Sequence, residues 1–334
     1  MIRQARIYSY PGDEFTSAHE KHLGSNLKMA ESIEMKSTLL NGDCIEKLKE
    51  IQDGSIDLIL SDIPYGIGAD DWDVLHENTN SAYLGSSPAQ SKAGSIFQRR
   101  GKPINGWSEA DKEIPKQYYE WCCKWASEWL RVLKPGGSAF VFAGRRFSPR
   151  CVVALEDAGF NFRDMISWVR PRATYRAQRL SIVFERRGLS EEAEKWSGWR
   201  IGNLGPNFEP IIWVFKPYRY TIADNVLEHG LGAFNQDAFE AATGHMRNVI
   251  EVGMNKGEGG LHPAQKPVRL LEMLISLVTQ PGQVVLDPFA GSGSTGQAAA
   301  NLGRKYIMIE KDPEIFSAMQ ERLLKTQQQA LALE

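Results

Sequence analysis

Cysteine is scarce. The 334 residues contain four, Cys44, Cys122, Cys123 and Cys151. None forms a Cys-x-x-Cys pair and no cluster has metal-ligand spacing, so neither a disulfide framework nor a bound metal is expected. Four reduced thiols suit a cytoplasmic protein. Long apolar runs are missing too, since no stretch approaches the roughly 18 residues of a membrane span. The first residues, MIRQARIYSYPGDEF, lack the apolar core of a secretory leader. No membrane association is therefore expected. One-sided charge is also absent, because 39 Lys and Arg face 41 Asp and Glu. Overall charge thus does not announce a polyanionic partner. Internal repeats and low-complexity segments are not found, and the length permits one large domain or two smaller ones with a sizeable core.

The local charge distribution says more than the total. Between Gly144 and Gly188 stand ten arginines and no lysine, against Glu156, Asp157, Asp164 and Glu185. A charge run is often a solvated face. The bias to arginine instead favours phosphate contact, because guanidinium grips phosphate through two parallel donors.

Residues 1–36 are polar and without period, and read as a tail or peripheral arm. Order is expected to begin with a short strand at Ser37–Asp43 and a helix at Ile45–Gln52. Ile56–Ser61 is a short apolar run bounded by turn residues, as a buried parallel strand requires. Residues 67–108 hold no sustained period and read as a long loop, functional or disordered, within a first half spanning 37–170. A helix at Ile114–Leu133 stops at Lys134-Pro-Gly-Gly137. Strand Ser138–Ala143, helix Phe147–Ala158 and strand Phe162–Val169 follow. This alternation indicates an α/β fold with a mostly parallel sheet.

From Arg170 to about Asn248 the alternation fades, apart from a strand at Glu209–Phe215. Residues 171–249 read as an insert with its own task. Contact with a nucleic acid uses Arg, Lys, Asn and Gln. Arg172, Arg176 and Arg179 are the candidates for nucleic-acid contact, with Arg186, Arg187, Arg200, Asn203 and Asn207 nearby. Alternation returns over 250–334: helix Val268–Thr279, strand Gln283–Leu286, a glycine-rich loop, a helix, strand Lys305–Ile309 and a final helix from Pro313.

The glycine-rich loop is Asp287-Pro-Phe-Ala-Gly291-Ser-Gly293-Ser-Thr-Gly296. It contains Gly-x-Gly-x-x-Gly between a strand and a helix, with Glu310 at the end of the next strand. Glycines allow close backbone approach, and the acid can take ribose hydroxyls. A dinucleotide would meet the Asp287 carboxylate where its pyrophosphate approaches. A ligand carrying a sulfonium and an ammonium suits that negative charge better. S-adenosyl-L-methionine is such a ligand.

Asp62-Ile63-Pro64-Tyr65 ends the strand at 56–61. With Phe289-Ala-Gly291-Ser-Gly293, Lys134-Pro-Gly-Gly137 and His262-Pro-Ala-Gln-Lys266-Pro267, it makes the chain resemble the β group of amino-directed DNA methyltransferases. In that family a D/N/S-P-P-Y/F tetrapeptide precedes a variable region and then an F-x-G-x-G cofactor loop. The resemblance covers residues 37–170 and 250–330. Ile63 departs from the pattern by replacing the usual first proline. The resemblance implies a permuted Rossmann-like S-adenosylmethionine-dependent methyltransferase fold, mostly parallel, with an inserted target-recognition region.

It also implies roles. Asp62 and the Ile63 carbonyl would accept the two N–H groups of an exocyclic amine, localising a lone pair otherwise delocalised into the ring. Pro64 would stiffen the turn. Tyr65 would stack on a base flipped out of double-stranded DNA, since chemistry on a base inside a duplex requires its extrusion. Asp287 would hold the methionine ammonium, with the backbone of Phe289, Gly291 and Gly293 close by, and Glu310 the ribose. Asp43 would face the adenine amino group of the cofactor, with a helix cap as the competing role. Lys266 would lie near the methionine carboxylate, with a plain exposed cation as the alternative. Asp at the first tetrapeptide position leans to N6 of adenine; N4 of cytosine is the second reading. A nicotinamide-dependent oxidoreductase rests on the glycine pattern alone and gives the tetrapeptide no role. A non-catalytic DNA-binding protein with the same fold is the third possibility. The resemblance implies a homodimer. Without a nuclease or helicase motif in the sequence, any restriction partner is a separate endonuclease.

Overall fold

The computed structural model describes residues 36–65, 109–170, 177–202, 204–254 and 265–331. These belong to one compact unit beginning at Lys36. The tail and the long loop of the sequence reading fall almost wholly outside the described residues.

An eight-stranded sheet organises the unit. Its strands are β1 (Thr38–Asn41), β2 (Ile56–Asp62), β3 (Leu133–Phe142), β4 (Asn161–Val169), β7 (Phe208–Phe215), β8 (Val249–Glu251), β9 (Val284–Asp287) and β10 (Lys305–Glu310). Across the sheet they run in the order β1-β10-β9-β2-β3-β7-β4-β8. A two-stranded ribbon, β5 (Gln178–Arg179) with β6 (Arg200–Ile201), stands apart from it. β7 runs antiparallel to both neighbours, and the other pairings are parallel. The arrangement is α/β and mostly parallel, as expected.

The order of strands is the permutation in physical form. β9 and β10, from the end of the chain, are inserted between β1 and β2, from its beginning. β2 therefore pairs with β9 through Leu58–Val285 and Ile59–Leu286. The apolar runs of β2 and β9 are buried on both faces, which is why they carry no alternation. All parallel strands on this side finish at one edge, so the chain after Asn41, Asp62, Asp287 and Glu310 leaves the sheet in the same place. Ligands in open α/β sheets bind there.

Helices α1 (Cys44–Leu48), α2 (Glu109–Val132) and α3 (Ser148–Asp157) pack together. On α2, Ile114, Tyr118, Cys122, Trp125, Trp129 and Val132 recur every three or four residues and are buried. The short α4 (Leu180–Glu185) and α5 (Ser190–Lys195) accompany the ribbon. α6 (Ile222–His229) and α7 (Gln236–Thr243) follow β7, and α8 (Val268–Val278), α9 (Ser294–Asn301) and α10 (Pro313–Leu331) complete the fold. α8 buries Val268, Leu270, Leu271, Met273, Leu274, Ile275, Leu277 and Val278, in one core cluster with Leu58, Leu60, Phe140 and Phe142 of the sheet.

Several elements differ from the sequence reading, β3 beginning at Leu133 where the strand was expected from Ser138. α2 begins at Glu109, upstream of Pro115, where the sequence suggested a start next to the proline. β7 lies within the main sheet between β3 and β4. Of the expected insert, only the described part around 177–202 stands off the sheet as its own ribbon and helices. At the opposite end of the sheet, buried Asp57 receives Lys134 Nζ at 2.6 Å and the Val284 backbone N–H at 2.8 Å, tying β2, β3 and β9 together.

Candidate active site

Two strand ends bring the tetrapeptide and the glycine-rich loop together. Ser61 Oγ donates to Asp287 Oδ1 at 2.7 Å, joining residues 226 apart in sequence. The same oxygen accepts the Phe289 backbone N–H at 3.1 Å, so Asp287 also sets the start of the loop. Asp287 is buried, which pushes its carboxyl pKa up to about 6 against the opposing hydrogen bonds from Ser61, Thr295 and Phe289, and the nearby Asp62 charge raises it further.

After Asp287 the Phe289 ring turns onto α2, with ring centroids 5.6 Å from Trp121 and 6.4 Å from Trp125. The Gly291 N–H donates to Glu310 Oε2 at 2.9 Å, and the Asp312 N–H to Glu310 Oε1 at 2.8 Å. Each carboxylate oxygen keeps further acceptor capacity. Gly291 has φ +50°, and a Cβ placed there would meet nothing within 4 Å. The loop thus leaves open space flanked by a buried carboxylate and a second one at the next strand end. This pair of acceptors fits S-adenosyl-L-methionine, with Asp287 for cationic groups and Glu310 for ribose hydroxyls.

The tetrapeptide is pinned from two sides. The Ile63 N–H donates to the Phe142 carbonyl at 3.3 Å, and Tyr118 Oη donates to the Pro64 carbonyl at 3.2 Å. The Tyr65 ring lies against Gly144, where a Cβ would come within 2.8 Å of its Cγ, so only glycine allows that packing. Asp62 Oδ2 receives Lys266 Nζ at 2.5 Å. Asp62 Oδ1 is buried and accepts no hydrogen bond from the described residues. Burial raises the Asp62 pKa and the Glu209 charge adds to that, while the Lys266 ammonium and the neighbouring Tyr65 hydroxyl oppose it. Chemically, this is a partly shielded carboxylate with one oxygen held by Lys266 and the other, beside the Tyr65 hydroxyl, positioned to accept an N–H.

Comparison with known proteins bears directly on this geometry. A family model described as DNA methylase, of the N6/N4 methyltransferase type, matches residues 56–321. The type II methyltransferase M.HindIII of Haemophilus influenzae is 51% identical over 297 residues, covering 86% of this chain and 96% of that protein. The chain belongs to the DNA methylase family. Its activity is site-specific methylation of DNA, and its methyl donor is S-adenosyl-L-methionine. Two solved structures share the fold. The cytosine-N4-specific PvuII DNA methyltransferase has a TM-score of 0.56 at 17% identity, covering 90% of this chain and 94% of that one. A DNA modification methylase from Thermus thermophilus, complexed with S-adenosyl-L-methionine, has a TM-score of 0.51 at 19% identity, covering 87% and 94%.

The remaining expected residues of the methylase take these places. Lys266, expected near the methionine carboxylate, points its ammonium at Asp62. It is boxed by the rings of Phe142, Tyr65 and Trp168, with centroids 5.2, 5.5 and 6.0 Å away. Asp43 caps α1, its Oδ1 accepting the Ile45 N–H at 3.0 Å, and Oδ2 lies 3.2 Å from Lys311 Nζ. The helix-cap role is thus occupied, at a strand end adjacent to that of Glu310. Arg179 is exposed on the ribbon, paired in register with Arg200. Arg172, Arg176 and His262 lie outside the described residues.

Sequence reasoning missed Glu209. Its Oε2 accepts from Tyr65 Oη at 3.0 Å, and its Oε1 lies 3.3 Å from Arg170. The only signal was an acid directly before the apolar strand run Pro210–Phe215.

Proposed function

We propose that the methylase transfers a methyl group to N6 of an adenine flipped out of double-stranded DNA. Asp62, Ile63, Pro64 and Tyr65 form the catalytic pocket. The Asp62 carboxylate carries this reading: Oδ2 is held by Lys266, and Oδ1 is buried without a donor among the described residues. A buried unpaired acceptor costs free energy unless a ligand supplies the N–H.

When bound, S-adenosyl-L-methionine supplies an electrophilic methyl group on a sulfonium. Asp287 and Glu310 would hold its charged and hydroxyl-bearing ends, beside the backbone of Phe289, Gly291 and Gly293. Asp62 accepts one N–H of the target amine and the Ile63 carbonyl the other, which localises the nitrogen lone pair. Tyr65 holds the base face, and most of the rate gain is positioning. The nitrogen sheds one proton after transfer. Asp62 is suited to receive it, because burial makes its carboxylate more basic than an exposed one. Asp at position 62 supports adenine over cytosine.

Arg172, Arg176 and Arg179 are assigned to DNA contact, within a recognition region at 171–249. A homodimer acting in the cytoplasm completes the reading, with any cleavage activity in a separate endonuclease. The test is methyl transfer from labelled S-adenosyl-L-methionine to unmethylated genomic DNA, followed by nucleoside mass spectrometry. N6-methyladenine is expected. N4-methylcytosine would overturn the base assignment and leave the mechanism standing. Asp62→Ala should abolish transfer and keep cofactor binding.

A further inference from the structure

The catalytic pocket contains a second carboxylate that the reaction as described does not use. Glu209 stands on β7, in register with Trp168 of β4. Pairing of β7 with β3 ends at Ile211–Phe142, so Glu209 lies two residues beyond the end of β3. Its side chain is only 15% exposed. It is held on three sides: Tyr65 Oη at 3.0 Å, Arg170 at 3.3 Å and Lys266 Nζ at 3.8 Å. Arg170 is itself fixed, donating to the Pro206 carbonyl at 3.1 Å. A surface glutamate would gain little from such pairs. A recessed one with three designated partners is an anchoring point.

We propose that Glu209 is a positioning residue for methyl transfer: it fixes the Tyr65 ring from its hydroxyl end and, with Asp62, brackets the Lys266 ammonium. The inference rests on the assignment of Tyr65 and Asp62 to the catalytic pocket. Gly144 holds the ring at its Cβ end and Glu209 at its hydroxyl, so the stacking face has one orientation before a base arrives. The two carboxylates share one lysine, so the Asp62 side chain is held in place and its free oxygen keeps its direction. Loss of either hold misplaces a reacting group by a fraction of an ångström to an ångström, and such errors are costly in rate.

The test uses the full-length chain and DNA carrying the target sequence found by mapping its methylation. Glu209→Ala, Glu209→Gln, Tyr65→Phe and the double variant Glu209→Ala/Tyr65→Phe are compared for kcat, KM for DNA, cofactor Kd and thermal midpoint. Glu209→Ala should lower kcat by about 10²-fold with cofactor Kd unchanged. Glu209→Gln should recover much of that loss, because its amide oxygen still accepts from Tyr65. It should also move the acid limb of the pH-rate profile to lower pH. The groups facing Asp62 are Lys266, Glu209, Tyr65 and Asp287. Removing the Glu209 charge makes ionisation of Asp62 easier. The double variant should be no slower than the worse single one, since both break one link. Wild-type kcat in Glu209→Ala overturns the proposal, as do additive losses or a loss tracked by weaker cofactor binding. A wild-type chain that methylates no base on DNA overturns the underlying functional reading, and this inference with it.

Discussion

Ser61 and Asp287 share a buried hydrogen bond of 2.7 Å between the ends of adjacent parallel strands. It is the contact through which the tetrapeptide strand steadies the Asp287 carboxylate, the group proposed to hold the cofactor. Ser61→Ala removes a donor to an anion, a bond worth enough to weaken cofactor binding about tenfold. The loss also raises the Asp287 pKa above its value of about 6. Calorimetric titration with S-adenosyl-L-methionine across pH should therefore show the affinity limb displaced upward in pH. An affinity and limb identical to wild type would remove Asp287 from the cofactor site.

Asp287 also carries a stability consequence. Its folded pKa, about 6, lies above the ordinary 3.8. The folded state thus binds this proton more tightly than the unfolded chain does. The group's contribution favours folding most below the unfolded pKa and is lost as pH rises through the folded one. At neutral pH the ionised side chain costs of order 1–3 kcal/mol in the unliganded protein. Asp287→Asn should accordingly raise the thermal midpoint at pH 7.5 while abolishing cofactor binding. A lower midpoint would mean that the carboxylate is needed for the fold and not only for the ligand.

Gly291→Ala separates stability from binding in a different way. The glycine has φ +50° with nothing near the added methyl. The left-handed conformation costs an alanine about 1–2 kcal/mol, so the protein should stay folded. The methyl would project into the space assigned to the cofactor. Binding measured by calorimetry should fall far more than the thermal midpoint suggests, and cofactor affinity close to wild type would place the ligand elsewhere.

Much of this site was legible because its parts are local. β2, β9 and β10 read as short apolar runs, and the residues that matter follow them directly. What stayed hidden was long-range pairing. Lys266 and Asp62 are 204 residues apart, and Tyr65 and Glu209 are 144 apart. No periodicity encodes those meetings; they follow from strand order. β7 was legible as a strand, but its place between β3 and β4 was not, since its flanks look like an insert. α6 was missed although its signal was present. Thr221 and Asp224 form a reciprocal capping box, and the exposed residues around it blurred the helical pattern.

Lys266 gives the sharpest electrostatic prediction, because its effect on Asp62 opposes that of Glu209. Burial raises the Asp62 pKa, the Lys266 ammonium lowers it, and the Glu209 charge raises it. In the proposed reaction Asp62 accepts the N–H of the target base in its ionised form. Lys266→Met retains contact with the Phe142, Tyr65 and Trp168 rings but leaves Asp62 buried without its counter-charge. The acid limb of the pH-rate profile should then move to higher pH, opposite to the shift expected for Glu209→Gln. At neutral pH the methylase should lose activity and regain part of it as pH rises. The profile is read from initial rates of methyl transfer at saturating cofactor and DNA. A uniform loss at every pH, with no movement of the limb, would show that Lys266 serves the cofactor carboxylate and does not tune Asp62.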